Sequence, residues 1–200
     1  MLKIGILASG RGSNLQSIID NIESGELKAE IKIVISDRKK AFALERAANH
    51  QINTLYINPE QYGTKEDYEQ KLIDIFKEKG VELVVMAGFM RILSPYFIKQ
   101  FRQRLMNIHP SLLPAFPGLH PQRQALEYGV KVSGCSVHFA DEGMDTGPII
   151  LQSSVPVLDD DDEDSLAARI LEQEHQIYPY AIKLFSEGRI KIEDRKVKVI

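Results

Sequence analysis

The sequence carries one cysteine, Cys135, in 200 residues. No intramolecular disulfide and no cysteine-cluster zinc site can be built from it, and so sparing a use of the residue suits a reducing compartment, with the cytoplasm as the expected location. Long apolar runs are also missing. The longest uninterrupted one, residues 83–90, falls far below the roughly 20 needed for a membrane-spanning helix, which excludes membrane insertion, and no membrane partner is expected. The run Ile4–Ala8 is shorter than a signal-peptide core and leads into a Gly/Ser turn, so it reads as a first strand. A strong charge of either sign is lacking too: 25 basic against 28 acidic residues give a net charge of -3, too little to attract nucleic acid broadly. Six of those acids are consecutive, at 159–164, and without them the balance is 25 minus 22, or +3. Repeats and low-complexity stretches are absent, and 44% hydrophobic with 26% charged residues is ordinary globular composition.

What is present alternates. Lys3–Ala8 is strand-like, and Leu15, Ile18, Ile19 and Ile22 then mark one face of a helix. Further strands are expected at 31–36, 54–57, 83–87 and 105–108, with helices at about 40–50, 64–79 and 95–103, the last opened by Ser94-Pro95 as cap and first turn. This predicts an α/β fold with a doubly wound, mostly parallel sheet. After Ile108, Pro110, Pro114, Pro117 and Pro121 forbid continuous regular structure and predict a long rigid loop. Strands at 131–139 and 148–157 are expected to pair antiparallel, as an addition in the C-terminal half. The acidic tract reads as a solvated loop that places Asp164 or Ser165 at a helix N-cap, followed by a helix over 166–178 and a charged, β-rich end. The whole chain is expected to form one domain, a nucleotide-binding half at 1–108 and a catalytic half at 109–200.

Between the first strand and first helix lies Ala8-Ser9-Gly10-Arg11-Gly12-Ser13-Asn14. Exposed N–H groups and the helix dipole favour an anion there, so phosphate binding is expected at this turn. Ser13 and Gln16 also have the spacing of a capping box, which alone could explain Ser13. Position 15 is Leu15, so the third glycine of the dinucleotide fingerprint is missing, and no Gly-Lys-Ser/Thr follows to make a P-loop.

Asn107-Ile108-His109 ends a strand in the second half of a parallel sheet, where ligands bind beyond the carboxyl ends of the strands. Alternation puts both polar side chains on one face. His109 is the leading acid/base candidate, while the Asn107 amide can donate to a developing oxyanion without titrating. That pairing suits acyl chemistry. A carboxylate should orient the histidine, and Asp145, in a turn between Gly143 and Gly147, is the first choice, with Asp141 and Glu142 as competitors. A triad through Ser111 lacks a nucleophile elbow. A zinc site of His109, His120, His138 and Asp145 lacks helical ligand spacing, so no metal is expected. Cys135 alternates with Val137 and Phe139 and reads as core. Glu174 lies on the apolar stripe of its helix, four residues after Ile170, and should face inward toward a cation or amine.

Five segments, in order, resemble the folate-dependent formyltransferase family, and within it the phosphoribosylglycinamide formyltransferases. They are Gly10–Asn14, Ala87–Ser94, Asn107–Pro114, Phe116–His120 and Asp145-x-Gly147-Pro148. The resemblance implies a Rossmann-like formyltransferase fold and transfer of the formyl group of 10-formyltetrahydrofolate, as co-substrate, to the amine of glycinamide ribonucleotide in purine synthesis. It implies Asn107, His109 and Asp145 as catalytic residues. Gly12, Ser13 and Asn14 would hold the phosphate region of the ribonucleotide, and Glu174 its glycinamide portion. Met90, Arg91, Ile92 and Leu93, with Asp141 and its loop and with Lys65, would line the folate cleft. The partners expected are these two small anions, with no nucleic acid, and the protein would be a monomer or homodimer. Formyltetrahydrofolate hydrolase shares the motifs but carries an additional N-terminal regulatory domain, and methionyl-tRNA formyltransferase carries a further C-terminal one. Neither is expected here. A non-catalytic nucleotide-binding module is the rival of another class.

Overall fold

A computed structural model describes all 200 residues, Met1–Ile200. Strand β1 (Leu2–Leu7) is buried from Ile4 onward, on both faces, as a strand covered by helices on each side must be. It is followed by α1 (Ser13–Glu23), β2 (Ala29–Ser36), α2 (Phe42–Asn49), β3 (Thr54–Tyr56), a short 3-10 turn at Pro59–Gln61, α3 (Lys65–Glu78), β4 (Leu83–Met86), α4 (Pro95–Gln100) and β5 (Leu105–His109). β1 pairs in parallel with both β2 and β4, β2 with β3, and β4 with β5. The chain then adds α5 (Pro121–Tyr128), β6 (Val132–Phe139), β7 (Ile149–Pro156), α6 (Glu163–Ser186), β8 (Ile190–Glu193) and β9 (Lys196–Val199). β6 and β7 are antiparallel, and β8 and β9 form a separate antiparallel pair. The seven-stranded order is β3-β2-β1-β4-β5-β6-β7, the mostly parallel, doubly wound sheet with an antiparallel addition that the alternating pattern predicts. No helix is long and apolar enough to cross a membrane.

Two compact units divide the chain, Met1–Asn107 and Ile108–Ile200. In the first, the strand order reverses direction between β1 and β4, so the loops after these two strands open at a topological switch point. Its core is aliphatic on the strands and aromatic beneath, where Phe101 packs against Phe76 and Phe97 with ring centroids 5.8 and 5.0 Å apart. In the second, α6 lays Leu166, Ile170, Glu174, Tyr178 and Ile182, all buried and spaced by four, along one stripe.

Several local expectations fail, each for a physical reason. α4 stops at Gln100 rather than Gln103, because Gln103 takes left-handed backbone (φ 58°) and Arg104 N–H closes a turn on Phe101. Helix α5 was not foreseen within the proline-rich stretch. Pro121, the last of those prolines, instead starts it at N1, and Gly129 ends it at φ 81°. The cap of α6 is Asp162, not Asp164 or Ser165. Its carboxylate accepts from Ser165 N–H while the Ser165 hydroxyl accepts from Asp162 N–H, a reciprocal box that fixes the start one turn earlier. The same helix continues past Tyr178 to Ser186, through Pro179. An interior proline costs about 3 kcal/mol, but the buried Ala181, Ile182 and Leu184 lie beyond it, and a buried Ile or Leu side chain returns about 1.5–3 kcal/mol each. The stripe also runs through Tyr178 rather than Ile177, which is half-buried.

Candidate active site

The glycine loop is made of backbone. Gly12 sits at the N-cap position of α1 with φ 71°, and no side chain caps the helix, so the capping box read into Ser13 and Gln16 does not form. Gln16 is used elsewhere: its amide donates to Asp20 at 2.8 Å, and its carbonyl oxygen accepts from Arg46 at 3.2 Å. The left-handed residue tightens the turn, and a Cβ at Gly12 would stand 2.7 Å from the Ala43 Cα. The loop is pinned from α2, where Ala43 N–H donates to Gly10 O at 3.1 Å and Arg46 Nε to Arg11 O at 2.9 Å. Ser13 is therefore the first helical residue, and Asn14 is buried in the first turn.

Ser9 joins this loop to the one after β4. Its hydroxyl donates to Asp37 at 2.6 Å and accepts from Met90 N–H at 2.9 Å, while Ser9 N–H donates to Gly88 O at 2.9 Å. Met90 and Ile92 are two-thirds exposed, Arg91 lies over the Tyr68 ring at 5.6 Å, and Leu93 is buried. Exposed apolar side chains next to a stacked cation form a platform suited to a flat, anionic ligand. Lys65, the first residue of α3, lies 3.9 Å from Glu69, whose buried carboxylate also takes the N–H and hydroxyl of Ser94.

At the end of β5 the site is made of side chains. His109 ends β5 and is buried, and half-buried Asn107 precedes it by two positions on the same strand. Asp145 Oδ2 lies 3.4 Å from His109 Nδ1 and accepts from Gly118 N–H at 2.9 Å. On the other side of the ring, His109 Nε2 lies 2.9 Å from the Phe116 carbonyl. Both ring nitrogens thus face oxygen atoms. Phe116, His120 and Asp145 have φ near 52°, 55° and 54°, so three non-glycine residues here hold left-handed backbone, an uncommon conformation that a surrounding network must enforce. Ser111 N–H donates to His109 O at 2.9 Å, and the Ser111 hydroxyl to Ala115 O at 2.6 Å, so that hydroxyl is committed to the loop and not to the histidine. Ser136 Oγ accepts from Leu113 N–H and donates to Ser111 O, fastening the loop to β6.

Of the competing acids, Asp145 is the one that meets His109. Asp141 instead accepts from Gly143 N–H and the Thr146 hydroxyl at 3.1 and 2.6 Å, shaping the turn that carries Asp145. His120 lies beside Glu163, 3.6 Å away. His138 was weighed in the sequence only as a metal ligand, yet its Nε2 lies 3.7 Å from Asp145 Oδ1 and its Nδ1 3.0 Å from the Phe139 carbonyl. Burial pushes the His138 ring down from its ordinary value, against the pull of the Phe139 carbonyl and Asp145. The signal available was its place on β6, on the same face as the buried Ser136. The contributions of Phe116 and Gly118 are backbone atoms and leave no side-chain signal. Glu174 is buried, as its place on the stripe predicts, and its charge acts on Cys135. Burial first, and Glu174 second, push the Cys135 thiol up to about 12, which makes it an unreactive core residue.

Comparison with known proteins agrees with this architecture. Residues 2–182 match the model of the formyl transferase family. The chain is 46% identical over 193 residues to the phosphoribosylglycinamide formyltransferase of Escherichia coli K12, covering 96% of this chain and 91% of that protein. It is 47% identical over 188 residues to the trifunctional purine biosynthetic protein adenosine-3 of Drosophila melanogaster; there it covers 93% of this chain but spans only 14% of the relative. Among solved structures, glycinamide ribonucleotide transformylase 1 from Symbiobacterium toebii superposes with a TM-score of 0.98 at 49% identity, over 100% of this chain and 94% of the other. The chain belongs to the formyl transferase family, among its phosphoribosylglycinamide formyltransferases.

Proposed function

We propose that Asn107, His109 and Asp145 carry the chemistry of the reaction this chain performs as a member of its family, the transfer of a formyl group from formyltetrahydrofolate to glycinamide ribonucleotide. The donor is the 10-formyl isomer. The ribonucleotide amine attacks the formyl carbon and forms the new C–N bond, and the carbonyl electron pair moves onto oxygen. The Asn107 amide stabilises that oxyanion together with the His109 Nε2–H, which turns from the Phe116 carbonyl to the substrate when it is bound. As the tetrahedral intermediate collapses, the bond to the folate nitrogen breaks, and a proton lost from the amine ends on that leaving nitrogen. No covalent enzyme intermediate is needed. Asp145 is a positioning residue: it holds the imidazole ring in place. The observation that carries this reading is the pair of acceptors on His109, Asp145 at 3.4 Å from Nδ1 and the Phe116 carbonyl at 2.9 Å from Nε2.

The remaining roles follow the chemistry of each group. Gly12, Ser13 and Asn14 offer the α1 N-terminus to the phosphate, and buried Glu174 meets the glycinamide amine. Met90, Arg91, Ile92 and Leu93, with Asp141 and Lys65, serve the folate, and the ribonucleotide and the folate are the only partners. The sparing use of cysteine supports a cytoplasmic location. The test offers 10-formyltetrahydrofolate together with glycinamide ribonucleotide, water and methionyl-tRNA as competing acceptors. Transfer to the ribonucleotide alone is expected, and formate release or formylated tRNA as the main product would overturn the substrate reading. If His109→Ala keeps the single-turnover rate within about tenfold, or 1.4 kcal/mol of barrier, the assigned residue role is wrong.

A further inference from the structure

The turn at 141–147 delivers Asp145 to His109, yet its own main chain has little to hold it. The bond at its neck runs from Phe139 N–H to the Pro148 carbonyl at 2.9 Å, and between Ala140 and Gly147 no main-chain group meets another. Side chains replace those bonds. Asp141 accepts from Gly143 N–H at 3.1 Å and from the Thr146 hydroxyl at 2.6 Å, and Asp145 accepts from Gly118 N–H at 2.9 Å. Both carboxylates belong to the turn itself. From outside it, one side chain donates to its main chain: Arg195, whose Nη2 reaches the Thr146 carbonyl at 2.7 Å from 49 residues later in the chain. A guanidinium donor makes this a charge-assisted bond, the stronger kind.

The β8–β9 hairpin aims that arginine. Glu193 pairs with Lys196, so Asp194 and Arg195 form a two-residue turn, and Asp194 takes left-handed backbone at φ 54° to close it. At the base, Ile200 N–H donates to Arg189 O at 3.0 Å and Arg189 Nε to the Ile200 main-chain oxygen at 2.8 Å. β9 lies against β7, the strand into which the 141–147 turn leads, so hairpin and turn share one support. Glu193, the one acid on the hairpin's strands, is paired with Lys191 at 2.9 Å and with Lys198, which leaves Arg195 to the Thr146 carbonyl. That carbonyl belongs to the peptide joining Thr146 to Gly147, where a Cβ would overlap the Phe139 carbonyl oxygen. Held by Arg195 on one side and by Phe139 on the other, this peptide plane is fixed one residue beyond Asp145, itself left-handed at φ 54°. We propose that Arg195 is a positioning residue of the transfer reaction: by holding the Thr146 carbonyl it sets the turn that presents the Asp145 carboxylate to His109, 3.4 Å away. Its meaning for catalysis rests on the roles given to His109 and Asp145 above; its hold on the turn does not.

Three variants of the full chain separate the bond from the bulk. Arg195→Ala removes both, Arg195→Met keeps the length without a donor, and Arg195→Lys restores a charged donor. Arg195 is exposed at a hairpin tip, so all three should unfold at the parental midpoint. In Arg195→Ala and Arg195→Met the single-turnover rate at saturating substrates should fall about tenfold, less than the roughly hundredfold that a 1 Å misplacement can cost, with the ribonucleotide KM unchanged. Arg195→Lys should recover most of that loss. Without substrates, amide exchange over 141–147 should quicken about fivefold in the first two variants, the size of one net hydrogen bond, and the His109 ring signals should move in the NMR spectrum. Both should return toward the parent in Arg195→Lys. Unaltered exchange and ring signals in Arg195→Ala would overturn the hold on the turn. Quickened exchange with a rate within about twofold of the parent, roughly 0.4 kcal/mol of barrier, would overturn the positioning role. If Arg195→Met behaves as the parent, or Arg195→Lys as Arg195→Ala, the bond to the carbonyl is not the cause. A parent chain that transfers no formyl group to the ribonucleotide would refute the proposed function, while exchange and ring signals would still decide whether Arg195 holds the turn.

Discussion

At the end of β1 the protein presents main chain: a left-handed Gly12 at the N-terminus of α1, and carbonyls held from α2 by Ala43 and Arg46. At the end of β5 it presents side chains, with Asp145 reaching His109 only because a loop thirty-odd residues later in the chain is folded back by Asp141, Thr146 and Gly118. The first arrangement needs a few adjacent residues and one helix. The second needs several non-adjacent ones, three of them in left-handed backbone. A backbone site suits a ligand recognised by its charge, and a side-chain site suits one that must exchange a proton in a fixed direction.

The largest effects should fall on the side-chain site. Asp145→Asn is expected to lower the single-turnover rate by about 10²–10³, in the range by which a positioned acid or base accelerates a reaction. Combining it with His109→Ala should cost little more than His109→Ala alone, because the two act as one unit. Additive losses would separate them and break the comparison. The next effect is on stability. Gly147 lies so close to the Phe139 carbonyl that a Cβ would overlap its oxygen, so Gly147→Ala should cost about 3 kcal/mol in denaturant unfolding. An unfolding midpoint equal to that of the parent would show that the loop carrying Asp145 yields easily. At the backbone site, Gly12→Ala meets both the positive φ and Ala43, and should raise the ribonucleotide KM about tenfold, or 1.4 kcal/mol, while kcat changes little. A fall in kcat with KM unchanged would mean that the glycine loop does more than hold an anion.

The smallest effect is pH-dependent. Asp161 accepts two hydrogen bonds from Arg169, at 2.6 and 2.8 Å, and these lead the causes that hold its carboxyl well below the usual aspartate range. A carboxyl depressed by folding adds stability that is complete above its unfolded value of about 3.9 and is lost as pH falls toward the folded one. Asp161→Asn should therefore lower Tm at pH 7, and the gap to the parent should close as pH drops below about 4. A gap that widens in acid would reverse the assignment.

Much of this is legible in the residues themselves. The parallel half follows from alternation of apolar strands with amphipathic helices, since both periods are local. Gly12 and Ser94-Pro95 announce turns and caps because their conformational limits are their own. Asp145 could not be separated from Asp141 and Glu142 by spacing, since all three share one turn and only the fold back onto Gly118 decides among them. His138 was placed on its strand but not beside Asp145, because that meeting is made across non-adjacent elements. Helix α5 was missed for a simpler reason: four prolines read together as a loop signal, although the last of them stands where a helix accepts proline best. The end of α6 was misjudged at Pro179, where burial on both sides outweighs the local cost.

Ser9 carries a consequence for how two ligands share one unit. Its hydroxyl holds Asp37 on one side and the N–H of Met90 on the other, while its own N–H holds Gly88. The glycine loop and the Met90 platform therefore share a fastening, and a ligand that stiffens either one removes freedom from both. Whatever binds first lowers the ordering cost met by the second, and linkage makes that help equal in the two directions. With the acceptor and donor placed as proposed above, one serine hydroxyl would favour the doubly loaded state over either half-loaded one.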